Sequence, residues 1–428
     1  MFEKYDAYKD SGLESFPEIP ADWQFKKLKF LIDEVNIRSE TGDETLLSLS
    51  KYKGVIPKDS LDERAGGAST LVGYKKVFKH NLVINKMQAV NGLLAVSELE
   101  GITSPDYSVY STKDNSVNIH YIAFLLNQPE YLAEMKKRVT GVMEGFIRLY
   151  TDDLYDIKAI LPSITEQNCI VDFLQKKLVE IDQAIAIKEQ QIVLLNERKQ
   201  IVIQKAVTQG LDPNVAMKDS GLNSVGNIPQ NWEIIKFKYL AKVRYGLGQP
   251  PRQLDNGLKI IRATNVERGK IVEKGMLSID PNDIPWDRNP TLNKDEIIVV
   301  RSGAYTGDSA IVTEEYAGCI AGYDMVATPF NCYPKFLSTV LLSHYVLYEQ
   351  IYLLRMRSAQ PHLNAEELNE LQIVVPLINQ QRLIANYIEK VEADIGEAIS
   401  LIKQQLEKLK EYKTTLINDA VTGKIKVA

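Results

Sequence analysis

Residues 9–24 read KDSGLESFPEIPADWQ, and residues 218–233 read KDSGLNSVGNIPQNWE. Gly12, Pro17 and Pro20 interrupt helix and strand ladders alike, so the phrase is punctuation, and its return marks the start of a larger repeated unit. With Lys9 set on Lys218, the two stretches share 12 identities over 24 positions, among them Ile19 with Ile228, Pro20 with Pro229 and Trp23 with Trp232. A second match runs without a gap from Leu149 on Leu363 to Thr208 on Thr422, with 19 identities over 60 positions. The offsets, 209 and 214, differ because the second copy carries five extra residues in its centre. Between the matched ends, residues 33–148 and 242–362 share only fragments such as NLVINK at 81–86 beside EIIVVR at 296–301. A duplicated frame is expected to hold two unlike inserts.

The frame contains two long helices. In the second copy Ile395, Ile399, Ile402, Leu406, Leu409, Leu416 and Ala420 alternate by three and four, with only Lys413 interrupting, which is a coiled-coil seam. The first copy keeps Ile181, Ile185, Ile192, Leu195, Val202 and Ala206, with Lys188 and Lys199 in seam positions. Lys199 matches Lys413, so both seams carry a polar residue at one register, a device that fixes partner and register at a cost in stability. Pro162 and Pro376 end strand-like runs, Thr165 and Asn379 are the expected N-caps, and Gly210 and Gly423 close the helices. Each helix then has about 43 residues and spans roughly 65 Å. Antiparallel pairing of the two stripes is expected, with a folded block between them and an approximate two-fold relation; packing of each helix on its own block is the alternative.

Short β-like runs (DEIIVVR, SAIVTEEY, GLKIIRATNV) punctuated by Gly and Pro, with helical stretches such as 119–138, give the blocks an α+β pattern with a curved antiparallel or mixed sheet. The fold class is therefore α+β, with two mixed globular domains separated by two long helices paired as an antiparallel coiled coil. The expected boundaries are 1–150 and 218–364 for the globular domains, and 151–217 and 365–428 for the helical regions.

Composition permits several partners and excludes others. The chain is 45% hydrophobic and 25% charged, which is ordinary for a globular protein. No apolar run approaches the roughly 18 residues of a membrane span, and the start, MFEKYDAYKD, has no signal-peptide core, so a cytoplasmic protein is expected. Cys169, Cys319 and Cys332 form no CxxC pair, and His80, His120, His344 and His362 form no HxxxH or HxH group, so no metal site is expected. The net charge is −5, yet residues 23–150 and 231–365 are each +2, and the acid lies outside these blocks. Each block is free to approach a polyanion if its cations share a face.

The order block, long helix, block, long helix, with GLxSxxxxIPxxW ahead of each block, resembles the specificity subunit of Type I DNA restriction and modification systems. LYTDDLYDIKAILPSITEQNCIVDFL at 149–174 and LNAEELNELQIVVPLINQQRLIANYI at 363–388 look like that family's shared central and C-terminal regions. Both carry P-x-x-x-x-Q-x-x-I, as Pro162, Gln167, Ile170 and as Pro376, Gln381, Ile384. IIRATNVERGKI, VVRSGAYTGDSAIV and INKMQAVNGLLAVSELEGITSPDY are similar to recurrent phrases of its target-recognition domains. The first block departs more, with no counterpart of YGLGQPPRQ at 245–253. The resemblance implies a non-catalytic reader of double-stranded DNA. Each domain would read one half of a bipartite, asymmetric site, methyltransferase subunits, two of them, would dock on the helical spacer, and restriction and translocase subunits would join the full complex.

Enzyme signatures are weak. There is no GxxxxGK[ST] loop, GLG at 246–248 is not GxGxxG, and NQPEY at 127–131 lacks the second proline of an amino-methyltransferase tetrapeptide. Asp152 with Asp153 and Glu366 with Glu367 stand at helix starts, where they suit the helix dipole. No cofactor is expected. Two other functions stay open: a methyltransferase that uses S-adenosylmethionine and carries a fused DNA reader, and a coiled-coil scaffold for protein partners. Candidate DNA contacts are cations on loops and strand ends: Lys86, Arg148, Arg244, Arg252, Arg262, Arg301 and Arg357, with Tyr245 and Tyr305 beside them.

Overall fold

The computed structural model describes residues 2–13, 16–51, 53–60, 70–140, 147–355 and 361–427. The chain forms two compact units, residues 1–188 with 404–428, and residues 189–403. The division falls inside both long helices, so each unit holds the start of one and the end of the other.

The long helices are Ile164–Gln209, 46 residues, and Ile378–Val421, 44 residues. They begin slightly earlier than their expected caps. Thr165 and Asn379 lie within the first turns, and Ser163 caps the first helix, its Oγ accepting from the Glu166 N–H at 3.3 Å. Leu377 stands at the second cap, its carbonyl accepting the N–H groups of Gln380 and Gln381. The cause is the motif glutamine. Gln167 Nε2 donates to the Pro162 carbonyl at 3.0 Å and Gln381 Nε2 to the Pro376 carbonyl at 2.9 Å, which turns the chain into the helix directly after each proline. The other end of each amide accepts a backbone N–H, from Asn118 and from Tyr333. Both glutamines are buried, so these bonds satisfy groups that water cannot reach. Gly210 and Gly423 end the helices at φ +79° and +76°.

In the first unit, the repeated phrase forms a hairpin of Tyr8–Leu13 with Phe16–Pro20. The next strand, Gln24–Lys27, pairs antiparallel with Lys158–Leu161, just before the first long helix. Trp23 is 1% exposed and explains why the phrase ends as it does. Its indole N–H donates to Glu166 Oε2 at 3.1 Å, while a Cβ on Gly423 would lie 3.2 Å from the same ring. One side chain thus touches the start of one long helix and the end of the other. Farther along, Lys413 Nζ bonds Asp182 Oδ1 at 2.6 Å, so within this unit the helices run antiparallel, and the seam lysine has its acidic partner. Ile181, Leu416 and Ala420 join one core with Trp23, Tyr121, Tyr131 and Ile170.

The second unit repeats this frame by itself. Met217–Asp219 pairs with Asn227–Pro229, and Glu233–Lys236 pairs with Gln372–Val375. Trp232, also 1% exposed, donates to Gln380 Oε1 at 3.1 Å, and a Cβ on Gly210 would lie 3.1 Å from its ring.

The diverged middles are more alike than the sequence suggests. Each contains a four-stranded antiparallel sheet of the same order: Ile32–Glu34, Tyr107–Thr112, Leu82–Asn85, Leu94–Val96 in the first unit, and Ala241–Tyr245, Met325–Pro329, Ile297–Val299, Ser309–Ile311 in the second. What differs is attached to it. The first unit adds the hairpin Leu47–Ser50 with Gly54–Pro57 and the pair Lys75–Val77 with Gly101–Thr103. The second adds a mixed sheet in which Gln253–Ile261 lies between Leu277–Ile279, antiparallel, and Ile320–Ala321, parallel. The stretch 119–138 forms two helices, Ile119–Leu126 and Pro129–Arg138, because a proline has no N–H to continue the first and suits the opening position of the second.

Burial follows the seams. Ile181, Leu406 and Leu416 are buried, while Ile185, Ile192, Leu195, Ile395, Ile399 and Leu409 are half-buried along their helices. Among the described residues no helix is long and apolar enough to cross a membrane.

Candidate nucleic-acid interface

A basic residue follows the same central strand in each unit: Lys86 after Leu82–Asn85, and Arg301 after Ile297–Val299 and Val300. Backbone bonds confirm the equivalence. The Leu149 N–H donates to the Lys86 carbonyl at 3.0 Å and the Leu363 N–H to the Arg301 carbonyl at 2.7 Å, at the two positions where the long sequence match begins. Each basic residue also meets an aspartate on the neighbouring strand's approach. The Lys86 N–H reaches the Asp106 carbonyl, and the Arg301 N–H reaches Asp324 Oδ1 at 3.2 Å.

The two places carry different chemistry. In the first unit Arg148 Nη2 pairs with Asp106 Oδ1 at 3.2 Å, and both side chains are exposed. Lys86 is half-buried, and burial, reinforced by Lys75, pulls its ammonium below the usual lysine range. Behind it Lys75 Nζ holds Glu34 Oε1 at 2.8 Å, and Thr151 donates to Glu34 Oε2 at 2.7 Å. Burial pushes Glu34 up, but these hydrogen bonds outweigh it and keep the carboxyl ionised.

In the second unit the Arg301 guanidinium lies between two tyrosine rings, 4.7 Å from the centre of Tyr245 and 4.3 Å from that of Tyr323. Both rings are substantially exposed, and Arg301 Nη2 lies 3.4 Å from His362 Nε2. Beside this stack is a cavity of about 210 Å³ lined by Arg262, Ser302, Tyr323, Asp324 and apolar residues that include Leu247 and Ile260. Among the described residues three buried polar atoms here have no hydrogen-bond partner: Asp324 Oδ2, Arg301 Nε and Arg262 Nε. Such atoms are costly to leave unmet in a fold. Burial raises the Asp324 carboxyl to about 6, although Arg301 opposes the shift. An acceptor or donor that titrates near neutrality, two guanidinium groups and two exposed aromatic faces form a surface able to hydrogen-bond base edges and stack on planar rings.

The remaining candidates lie elsewhere or are otherwise engaged. Arg244 is largely buried and forms a two-pronged bond to Glu296, with Nη2 to Oε2 at 2.8 Å, and its Nη2 also donates to the Thr291 carbonyl. Arg252 is exposed and clasps Asp283, with Nε to Oδ2 at 2.7 Å. Arg262 spends one guanidinium nitrogen on the Gly275 carbonyl at 2.9 Å. Arg357 lies outside the described residues. Tyr305 is exposed on the loop after Arg301.

Asp324, Tyr323, His362 and the Lys75–Glu34 pair are additions that sequence reading missed. A signal existed in the equivalence of NLVINK and EIIVVR, since an Asp and a Tyr stand at the start of the strand that pairs with each, in the order Asp106–Tyr107 in one unit and Tyr323–Asp324 in the other.

Comparison with known proteins places this geometry in a class. Residues 229–411 match the family model described as the Type I restriction modification DNA specificity domain. The chain is 24% identical over 454 residues to the Type I restriction enzyme MjaVIII specificity subunit of Methanocaldococcus jannaschii, covering 100% of this chain and 98% of that one. Its fold is that of a chain from a structure on complex assembly and conformational transition of the type I R-M system, with TM-score 0.72, 13% identity, and coverage of 95% and 99%. It is also that of the HsdS subunit from Thermoanaerobacter tengcongensis, with TM-score 0.56, 13% identity, and coverage of 95% and 98%. The family match covers most of the second unit and runs into the part of the second long helix that belongs to the first. Over its whole length the chain is similar to specificity subunits of Type I restriction-modification systems.

Proposed function

We propose that this chain reads a bipartite, asymmetric double-stranded DNA site, one half with each unit, and catalyses no bond change itself. One observation carries the reading: at the same strand end of the same sheet, one unit presents Lys86, Arg148 and Asp106, and the other presents Arg301, Asp324 and His362 between tyrosines. One frame with two chemistries is what two different half-sites require. Lys86 and Arg148 in the first unit, and Arg301 and Arg262 in the second, are the proposed DNA contacts, with Arg244 and Arg252 holding their own domain together. The domain boundaries 1–150, 151–217, 218–364 and 365–428 divide readers from spacer, and the length of the long helices sets the gap between the half-sites.

Methyltransferase subunits, two per chain, dock on the helical region, and restriction and translocase subunits complete the assembly, in the cytoplasm. Support comes from a second apolar stripe on the first long helix. Val179, Ile187, Leu194 and Ile201 recur at near-heptad spacing and are each more than half exposed, a pattern that a helix retains when another protein covers it. At the start of the second long helix, Leu377, Leu383 and Tyr387 are exposed as well.

The test is methylation of DNA site variants by the chain with its methyltransferase partner. Arg301→Ala is expected to weaken or relax recognition at one half only, by about 1–3 kcal/mol, with phosphate-type loss excluded by its confinement to particular bases. Absence of S-adenosylmethionine binding to the isolated chain in a calorimetric titration separates this reading from a fused methyltransferase.

A further inference from the structure

The fold gathers a set of metal ligands that sequence spacing hides. His80 precedes the central strand of the first unit, Glu98 follows the adjacent strand Leu94–Val96, and His120 stands in the first turn of the helix Ile119–Leu126. Glu98 Oε1 lies 3.8 Å from His80 Nδ1 and 3.7 Å from His120 Nε2, and the three ligand atoms all lie within 4.8 Å of one another. The two rings meet edge to face at 5.9 Å.

We propose that His80, Glu98 and His120 bind one divalent transition-metal ion, zinc in the first instance, through Nδ1, Oε1 and Nε2, with solvent in the fourth position. Two imidazoles and a carboxylate suit zinc, cobalt and nickel and disfavour magnesium and calcium, which take oxygen ligands. Tetrahedral ligands at zinc bond lengths stand about 3.3 Å apart, so closure moves each histidine toward Glu98 by roughly half an ångström and the two histidines toward each other by up to about 1.5 Å. Glu98 and His80 can supply it, since both side chains are 58% exposed. The other carboxylate oxygen faces Lys79 Nζ at 3.9 Å, which leaves Oε1 to the histidines.

The ligand backbones are already fixed. The His80 N–H donates to the Ser97 carbonyl at 2.7 Å, and the Ser97 N–H returns to the Asn81 carbonyl at 2.8 Å. The His120 N–H is held by the cap residue, donating to Asn118 Oδ1 at 2.9 Å. Little ordering remains to be done on binding, and the ion would staple the strand start, the hairpin exit and the helix start. The site is at the far end of the strand Leu82–Asn85 from Lys86, so its role is structural and not in DNA contact.

The duplicated frame supplies an internal contrast. The Asp295 N–H donates to the Val312 carbonyl at 2.9 Å and the Val312 N–H to the Glu296 carbonyl at 2.7 Å, repeating the bonds of His80, Ser97 and Asn81. His80 and Asp295 even share positive φ, at 64° and 69°. By the same register Thr313 stands for Glu98. Lys335 stands for His120, since Asn118 and Tyr333 both give their N–H to the motif glutamine. Of Asp295, Thr313 and Lys335 only the aspartate is a metal ligand, and Lys335 Nζ is taken by Glu389 at 2.9 Å, so among the described residues the three-ligand set is found in the first unit.

Titration of the tag-free full-length chain with zinc chloride in a calorimeter tests this, with cobalt(II) absorption as a second readout of tetrahedral ligation. One ion per chain is expected, with affinity reduced at least tenfold in Glu98→Gln and in His120→Gln, and unchanged in Lys335→Ala. Zinc should raise the melting temperature of the native chain and not that of Glu98→Gln. Absence of zinc binding, or equal affinity in native chain and both ligand variants, would overturn the proposal. Glu98→Gln is isosteric and exposed, so loss of fold does not confuse the comparison.

Discussion

At position 423 a side chain has nowhere to go. A Cβ there would lie 2.5 Å from Pro20 Cγ and Cδ, and the backbone sits at φ +76°, whereas a Cβ on Gly210 would meet only the Trp232 ring at 3.1 Å. Gly423→Ala is therefore expected to destabilise more than Gly210→Ala, whose cost is mainly the 1–2 kcal/mol or so of left-handed strain; calorimetric melting of the two variants decides it, and the reverse order contradicts the packing described. Asp324 yields a second expectation. In the fold it keeps its proton up to about pH 6, whereas an unfolded aspartate loses it near 4. Its stabilising contribution is thus complete below about pH 4 and is lost as pH rises through about 6. Asp324→Asn should be more stable than the native chain at pH 8 by about 2–3 kcal/mol, with the difference gone at pH 4, as read from denaturant unfolding at both values. A difference independent of pH would show that the carboxyl titrates normally. Arg301 was legible in sequence because a cation directly after a buried apolar run must stand at a strand end. Asp324 was not, because the strand register sets it in the place of Tyr107 and not of Asp106, so the first unit has no aspartate at the matching position to point to it.

Among elements, the long helices were the most legible, since a three-and-four alternation over so many residues has few other readings. Their caps were misplaced by two residues, because a buried glutamine five residues after each proline sets the turn, a bond that local capping preference does not show. The shared four-stranded sheet was invisible for a different reason. Sheets conserve register and burial while side chains drift, so Leu82, Val83 and Ile84 correspond to Ile297, Ile298 and Val299, with one branched aliphatic residue exchanged for another. The seam also varies in how firmly it is buried. Leu416 is 3% exposed in the first unit's core, whereas Ile395 is half-buried. Leu416→Ala should cost about 2–5 kcal/mol and Ile395→Ala clearly less, measured by thermal or denaturant unfolding. Equal losses would mean that the seam is uniformly packed.

For the whole molecule, the duplication explains both what is constant and what is free to change. Trp23 and Trp232, Gln167 and Gln381, and Gly210 and Gly423 hold the ends of the long helices to each unit by the same few contacts. The strand ends between them are released from that duty, and there the units differ in charge, aromatic content and cavity. The claim that each unit reads its own half of the DNA site is tested most directly by methylome sequencing of cells carrying the native chain, Lys86→Ala or Arg301→Ala with the methyltransferase partner. The account predicts that each substitution relaxes the consensus at one half of the site and leaves the other half intact, with the two variants affecting opposite halves. Equal degradation of both halves by either substitution would contradict it.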